Sequence, residues 1–217
     1  MNFHKEINSC IFFSLYIVEM PRKKQSLTKR LNRLERNSRP EVKFQGAESG
    51  AFDTVGSVTG TLLTPQALAE GVGRNQRVGD KVKSRNIRFQ AIFKMPQNPT
   101  SPTCAIRILV LRSKFTEPDT SDMPTWYGNV DEDKFFIVKD IMTQVSAVQA
   151  RTVNGSSFET GSTLKKIKFN IPIGLRKLQY DGASNQSPIN NEYIVYMLAE
   201  NQSAECAYNW QHYYIDN

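Results

Sequence analysis

The sequence of 217 residues contains only two histidines and three cysteines. Cys10, Cys104 and Cys206 are far apart and odd in number, so they provide neither a disulfide framework nor the paired spacing of a zinc site. Their scarcity favours a reducing compartment, and Cys104 and Cys206 lie in apolar runs that predict small buried side chains. The histidines are His4 and His212, and a lone histidine between aromatic residues is more often structural than a general base.

The chain also lacks the short motifs of common enzymes. It has no nucleophile elbow, no P-loop and no paired Cys/His spacing. GVGRNQRVG, residues 71–79, has glycines and basic residues but fits neither the dinucleotide fingerprint nor the P-loop, because it follows a helix-like turn and precedes a strand-like run. We therefore expect a protein that is not an enzyme.

No apolar run is long enough to cross a bilayer. The apolar stretch 7–18 is interrupted by polar residues, has only Lys5 before it and lacks a small-x-small cleavage site, which argues against a secretory signal. A further interpretation is that residues 1–19 are an upstream extension and that Met20 is the functional start. We favour this interpretation because MPRKK opens a basic segment at once, and we expect no membrane partner.

Positive charge is concentrated in that segment. The chain has a formal net charge of +7, and residues 20–45 carry the same excess, with nine basic side chains against two acidic ones. Residues 46–217 are nearly neutral, with 18 basic and 17 acidic groups. Such an arm is typical of a polyanion binder. The side chains expected to contact nucleic acid are Arg22, Lys23, Lys24, Lys29, Arg30, Arg33, Arg36, Arg39 and Lys43.

Within the arm, residues 26–40 have the pattern of a short amphipathic helix. Leu27, Leu31 and Leu34 recur at helical spacing, and Pro40 ends the run. Because a helix of this length is marginal in isolation, it would form on nucleic acid or against copies of itself. The alternative is a disordered, solubilising tail.

The remaining sequence predicts short strands. Seven segments are rich in aromatic and β-branched residues, and several alternate between apolar and polar positions. They are residues 54–64, 81–94, 104–112, 134–150, 164–173, 192–200 and 205–216. Only residues 65–72 suggest a helical turn between strands. Without helices of the βαβ kind, the pattern favours an all-β antiparallel sandwich or barrel.

Two groups of side chains allow a functional or a structural interpretation. The carboxylates of Asp131, Glu132 and Asp133 are typical of a solvated loop and less often of a calcium site. Five aromatic residues could stack on bases, but no basic residues are interleaved on the same strand, so we favour a role in the core and in subunit contacts. They are Trp126, Tyr127, Trp210, Tyr213 and Tyr214.

Five motifs occur in an order that resembles the coat proteins of small icosahedral viruses. NQRVGDKVKSRNI (75–87) resembles the N-Q-R-x-G entry to a strand in the coat proteins of satellite tobacco necrosis virus and of small circular single-stranded DNA viruses. IRILVLRSKF (106–115) and DKFFIVKD (133–140) look like two of their strands. LQYDGAS (178–184) is similar to their V-x-Y-(N/D)-G-A motif, and YYIDN (213–217) resembles the satellite virus ending.

The resemblance runs from about residue 29 onward and implies an eight-stranded antiparallel jelly-roll sandwich, in which two four-stranded sheets, BIDG and CHEF, pack face to face. It divides the chain into a leader or upstream extension (1–19), a basic nucleic-acid-binding arm (20–45) and a shell domain (46–217). It also implies that about sixty copies form the simplest icosahedral shell, with the arms directed at the packaged genome.

The resemblance also implies two sites at subunit boundaries. The glycine of NQRVGDKVK is interpreted as a turn, with Arg77 and Asp80 placed to pair with each other or across a subunit interface. Calcium between subunits would be bound by the backbone oxygens of Val78 and Lys81 and by the carboxylate of Asp216, although the charge of Lys81 opposes a cation there.

We therefore expect a capsid protein, found in the virion and, before assembly, in the cytoplasm or nucleus of the host cell. Its partners would be copies of itself and a genomic single-stranded nucleic acid, for which RNA and DNA are both open alternatives. PRKK followed by KRLNRLER also has the composition of a nuclear localisation signal. The alternative is a non-capsid nucleic-acid-binding β-barrel with a basic tail, while an enzyme or lectin on the same sandwich lacks a supporting site.

Overall fold

A computed structural model of the protein describes residue 29 and residues 40–57, 59–96, 99–114, 120–148, 161–182, 186–200 and 204–216. The chain divides into two compact units, Met1–Arg39 and Pro40–Asn217. The first unit contains the predicted leader and most of the predicted arm, which lie outside the described residues apart from Lys29. The helix predicted within residues 26–40 therefore stays a prediction.

The described part of the second unit consists mainly of β-strands in two antiparallel sheets. The first sheet has the order β1-β10-β4-β8, with β2 also paired to β10, and the second has the order β3-β9-β5-β6-β7. The predicted all-β antiparallel class is confirmed. The strands are β1 Val42–Glu48, β2 Asp53–Val55, β3 Thr61–Leu63, β4 Lys81–Lys94, β5 Thr103–Ser113, β6 Phe135–Val148, β7 Gly161–Ser162, β8 Lys165–Gln179, β9 Tyr193–Ala199 and β10 Ala204–Asp216, with a 3-10 helix at Thr120–Asp122.

In the first sheet, the last strand in chain order lies between the first and the fourth. β10 pairs with β1 on one side and with β4 on the other, and β4 in turn pairs with β8. Buried and solvent-facing positions alternate along β4, as the pleat of a strand requires. Val82, Ile87, Phe89, Ala91 and Phe93 face inward as predicted, so one side of this sheet contributes to the core.

The second sheet is buried on both sides where β5 and β9 run. Ile108 and Val110 of β5 belong to the core between the sheets, whereas Leu109 and Leu111 pack on the outer side with Trp126. Trp126 comes from the connection between β5 and β6, which therefore covers this side of the sheet. Burial on both sides explains the continuous apolar run in β5.

The core between the sheets contains residues predicted to be inside. Cys104 and Cys206 are buried free thiols, and Trp210 belongs to the same cluster. Each large apolar side chain that is removed from water contributes about 1.5–3 kcal/mol. Tyr214 is buried in a smaller cluster. The predicted core role is thus confirmed for three of the five aromatic residues, whereas Tyr127 is exposed.

Two predicted elements are wrong. The sequence predicts one strand over residues 54–64, but β2 pairs in the first sheet and β3 in the second. The chain crosses between the sheets in this segment, and a side chain at Gly60 would collide with the Met197 carbonyl oxygen. Residues 65–72 form no helical segment but one turn with a hydrogen bond from Ala67 N to the Thr64 oxygen, 3.1 Å.

Candidate nucleic-acid and subunit-contact sites

Of the nine basic side chains predicted to contact nucleic acid, the structure describes two. Lys29 is exposed, and Lys43 lies in β1. The other seven lie outside the described residues, and their role stays a prediction: Arg22, Lys23, Lys24, Arg30, Arg33, Arg36 and Arg39. The predicted arm, 20–45, also overlaps the second unit, because that unit begins at Pro40.

Lys43, near the start of β1, forms an ion pair with Asp216, at the end of the neighbouring strand β10. Its Nζ lies 2.6 Å from Oδ2 of Asp216 and donates to the Gln76 backbone oxygen at 3.1 Å. The other carboxylate oxygen, Oδ1 of Asp216, accepts a hydrogen bond from Val78 N at 3.4 Å. Both charged side chains are largely buried. The ammonium of Lys43 is therefore engaged inside the body, where it joins β1, β10 and the loop before β4.

The same contacts bear on the predicted calcium ligands. The structure brings Val78 and Asp216 together, but through the N–H of Val78 rather than its oxygen. A calcium ion at Asp216 would also compete with the ammonium of Lys43, which already lies against the carboxylate. The groups in one chain fit an ion pair better than a divalent cation. Calcium binding between subunits, with Lys81 as a further ligand, stays a prediction.

Arg77 is the centre of a buried cluster that holds the loop before β4. Its guanidinium donates to three backbone oxygens, with Nε to Leu68 at 3.2 Å, Nη1 to Gly79 at 2.5 Å and Nη2 to Gly182 at 2.6 Å. The guanidinium carbon lies 4.5 Å from the ring centroid of Tyr180. Arg77 is fully buried in this chain, so it holds the connection between β3 and β4 together and joins it to Gly182, which follows β8.

Arg77 also lies close to Asp80 within the chain, which is the first of the two predicted pairings, while pairing across a subunit interface stays a prediction. Nη1 of Arg77 lies 3.4 Å from Oδ1 of Asp80 and 3.7 Å from Oε2 of Glu70. Gly79 has a φ of +76°, which favours glycine and marks the predicted turn into β4. Of the two residues predicted at a subunit interface, only Asp80, with a side chain that is 55% exposed, is accessible to another chain.

His212 belongs to a buried polar network between β10, β4 and the loop after β3. Its Nε2 lies 2.8 Å from Oγ of Ser84, which accepts a hydrogen bond from Nε2 of Gln66 at 2.9 Å. Oε1 of Gln66 accepts from Tyr193 N at 2.7 Å. Ser84, Gln66 and His212 are all fully buried, so the hydroxyl–imidazole pair joins strands and does not face solvent.

Burial lowers the pKa of His212 to about 3. The folded state therefore keeps this ring neutral, while the unfolded chain takes up a proton near the ordinary pKa of 6.5. The stabilisation is fully present above pH 6.5 and is lost as the pH falls from there towards 3. Between pH 7.5 and pH 5, where most carboxylates stay ionised, we expect the unfolding free energy to fall by about 2 kcal/mol.

Urea denaturation of the protein at several pH values measures this loss. In NMR, a His4→Gln variant isolates the imidazole signal of His212, which we expect not to titrate between pH 5 and 8. The same variant should keep the pH dependence of stability. A His212 signal that titrates near pH 6.5, or a flat stability profile, would contradict the prediction.

The sequence did not predict a set of cation–aromatic pairs on the solvent side of the first sheet. The guanidinium of Arg88 lies 5.0 Å from the ring centroid of Tyr213, and its Nη1 donates to the Tyr213 hydroxyl at 3.3 Å. Arg74 lies 5.4 Å from the ring of Phe44, which is 6.2 Å from the ring of Tyr213. The basic residues are interleaved with the rings across neighbouring strands, so the sequence of any one strand does not reveal these pairs. The alternation of apolar and polar residues in β4 does indicate that Arg88 lies on the outer side of the sheet.

The acidic run before β6 is exposed. Asp131 caps its own turn by accepting a hydrogen bond from Asp133 N at 2.9 Å, and Glu132 is exposed beside it. This agrees with a solvated loop. In the part of the chain that the structure describes, no group of three His, Cys, Asp or Glu side chains is placed to hold a metal ion. Among the same residues, no helix is long and apolar enough to cross a membrane.

No protein-family model matches the chain, and a comparison with curated proteins gives no match.

Proposed function

We propose that the protein is the coat protein of a small icosahedral virus, folded as an eight-stranded jelly roll, which assembles into a shell and packages single-stranded nucleic acid. The observation that carries the proposal is the strand order. With strands lettered B to I in chain order, β1 and β2 together as B and the two-residue β7 left unlettered beside F, the sheets read B-I-D-G and C-H-E-F. The sequence resemblance implies this order for a shell domain.

The charge distribution supports the same function. The folded body is nearly neutral, while residues 20–45 carry a net charge of +7. A shell of about sixty copies would then hold on the order of 400 positive charges, which neutralise phosphates without reading bases. The nearly neutral bodies can pack side by side without strong repulsion between like charges.

Assembly is tested by expression followed by electron microscopy and sedimentation. We expect closed shells of roughly 20 nm that contain nucleic acid. A monomer or small oligomer under all salt conditions would contradict the coat-protein proposal. It would instead support the second candidate, a non-capsid nucleic-acid-binding β-barrel, which the cation–aromatic pairs on the first sheet also favour.

The role of the arm is tested by deleting residues 20–39. The deletion ends before Pro40 because β1 and the ion pair of Lys43 with Asp216 belong to the folded body. We expect the nucleic acid content of purified particles, measured by absorbance at two wavelengths, to fall at least about tenfold, because most of the cations that release counterions are lost.

A matched variant keeps the arm's length and replaces Lys29, Arg30, Arg33 and Arg36 with glutamine. It should show most of the same loss, while the far-ultraviolet circular dichroism of both variants keeps its β signature. Normal packaging by either variant would show that the arm is not the main binding element.

A further inference from the structure

The solvent side of the first sheet carries polar, basic and aromatic side chains, and we call it the outer basic face. The strand register places matching residues of adjacent strands side by side on it. In one row Phe44 lies next to Tyr213, which lies next to Asn86. In the next, Gln211 lies next to Arg88, which lies next to Asn170, and beyond it Asn209, Gln90 and Lys168 are aligned. These positions face away from the core because they alternate with its buried residues.

Positive charge dominates this face although the body as a whole is nearly neutral. By register, its acidic residues among those described are Glu48 and Glu205, and Glu205 is paired with Lys94 at 2.7 Å. Its basic side chains come from β4 and β8 and are Lys81, Lys83, Arg88, Lys94, Lys166, Lys168 and Lys177. Carboxylates gather instead near the connection that covers the second sheet: Asp122, Asp131, Glu132, Asp133 and Asp140. Cations lie among them, since Lys134 pairs with Asp122 and Arg107 with Asp140, so an excess of one charge sign is a feature of the outer basic face.

Aromatic rings on or beside this face each lie close to a cation. Besides the pairs of Arg88 with Tyr213 and Arg74 with Phe44, Nζ of Lys94 lies 4.4 Å from the ring centroid of Phe52. Phe44 and Phe52 remain 40% and 39% exposed, so part of each ring is open to a ligand. Rings, guanidinium planes and lysines on one sheet are the elements with which single-stranded nucleic acid is bound, because unpaired bases stack while phosphates meet cations.

We infer that the outer basic face binds single-stranded nucleic acid directly, as a second site separate from the arm. Arg88 and Lys168 contact phosphates, and Phe44 offers a stacking platform for a base. A duplex would use the cations but not the rings, since its bases are already stacked. The choice of nucleic acid as ligand rests on the proposed function, whereas the site itself rests on the geometry of the sheet.

The phosphate contacts are tested by salt-dependent binding of a short fluorescent oligothymidylate to the full, unassembled chain. In an Arg88→Gln/Lys168→Gln variant we expect weaker binding and a slope of log K against log salt that is smaller by about 1.4, at about 0.7 for each phosphate contact. The matched control, Lys114→Gln/Lys134→Gln, removes the same charge from the side of the second sheet. We expect it to leave the slope unchanged.

The stacking contact is tested at Phe44. Phe44→Leu should bind oligothymidylate about tenfold more weakly, and Phe44→Tyr, which keeps the ring, should bind like the parent chain. On an abasic oligonucleotide of the same length the two variants should not differ, because only stacking has been changed. Equal affinity of Phe44→Leu and Phe44→Tyr for oligothymidylate would overturn the stacking role.

The outcomes separate this inference from the proposed function. If shells form and the Arg88/Lys168 variant keeps the parent's slope, the second site is refuted and the coat-protein proposal stands. If no shells form but that variant loses the expected slope, the site stands and the coat-protein proposal fails. If the variant loses binding to polyglutamate and keeps binding to oligothymidylate, the face binds an acidic protein and the inference is refuted.

Discussion

An Arg77→Met variant is expected to lose about 3–5 kcal/mol of unfolding free energy. Methionine fills a similar length of side chain but donates no hydrogen bond. The backbone oxygens of Leu68, Gly79 and Gly182 would lose their guanidinium donors in a place where Arg77 is fully buried. A buried acceptor without a donor costs about 1–3 kcal/mol, which exceeds the gain from burying an uncharged side chain.

Urea denaturation measures this effect, and Arg74→Met is the matched control. Arg74 is exposed three residues earlier in the same loop, so its replacement should change the unfolding free energy by less than about 0.5 kcal/mol. Arg77→Lys should also be strongly destabilised, because one ammonium cannot reach three oxygens in different directions. If Arg77→Met changes the unfolding free energy by less than about 1 kcal/mol, the three hydrogen bonds of this guanidinium do not hold the loop in place.

An Arg107→Leu variant is expected to lose about 2–4 kcal/mol of unfolding free energy. It should also release the connection between β5 and β6 that covers the second sheet. Nε and Nη2 of Arg107 bond the two carboxylate oxygens of Asp140 at 3.2 and 2.8 Å. Nη1 donates to the backbone oxygens of Trp126 and Gly128, each at 2.9 Å. Leucine would leave these acceptors unpaired and would remove the contacts that hold Trp126 against the sheet.

The emission of Trp126 reports this release directly. The chain has two tryptophans, so a Trp210→Phe background leaves Trp126 as the only one. In that background, Arg107→Leu should shift the emission to longer wavelength, while Arg85→Leu, at an exposed position of β4, should not. An unchanged emission maximum together with unchanged stability would show that the connection is held by its apolar contacts alone.

The strands with strong local patterns could be predicted well from the sequence. β4 has the predicted bounds, 81–94, because its apolar residues alternate and each inward position is filled by a buried side chain. β5 was predicted as a buried run, and the cover by Trp126 and Val130 explains why alternation is missing there. In both strands, local sequence and tertiary packing favour the same conformation.

Elements that depend on distant partners could not be predicted. β1 has an exposed, polar sequence. Its pairing with β10 brings together Phe44 and Tyr213, which are far apart in the sequence. β8 extends beyond the predicted end at residue 173, because Gly174 and Leu175 adopt φ values of +72° and +62° at an irregularity opposite β4. Their left-handed conformations let the strand continue past this irregularity.

The contacts of the site residues could likewise be predicted only where both partners are close in the sequence. Arg77 and Asp80 are three residues apart in a turn, so their pairing was predictable from spacing. Lys43 was predicted to contact nucleic acid, because nothing nearby in the sequence indicates that Asp216 lies beside it. The pairing of Arg88 with Tyr213 likewise depends on the register of β4 and β10.

The position of β10 between β1 and β4 has a consequence for synthesis on the ribosome. Translation makes β10 after all the other described strands, yet the first sheet needs it as the link between β1 and the rest. That sheet can therefore close only after residue 216 has left the exit tunnel. Until then Phe44 of β1 and Tyr213 of β10 cannot join the basic side chains of β4 and β8, so the outer basic face has its cations before it has its rings.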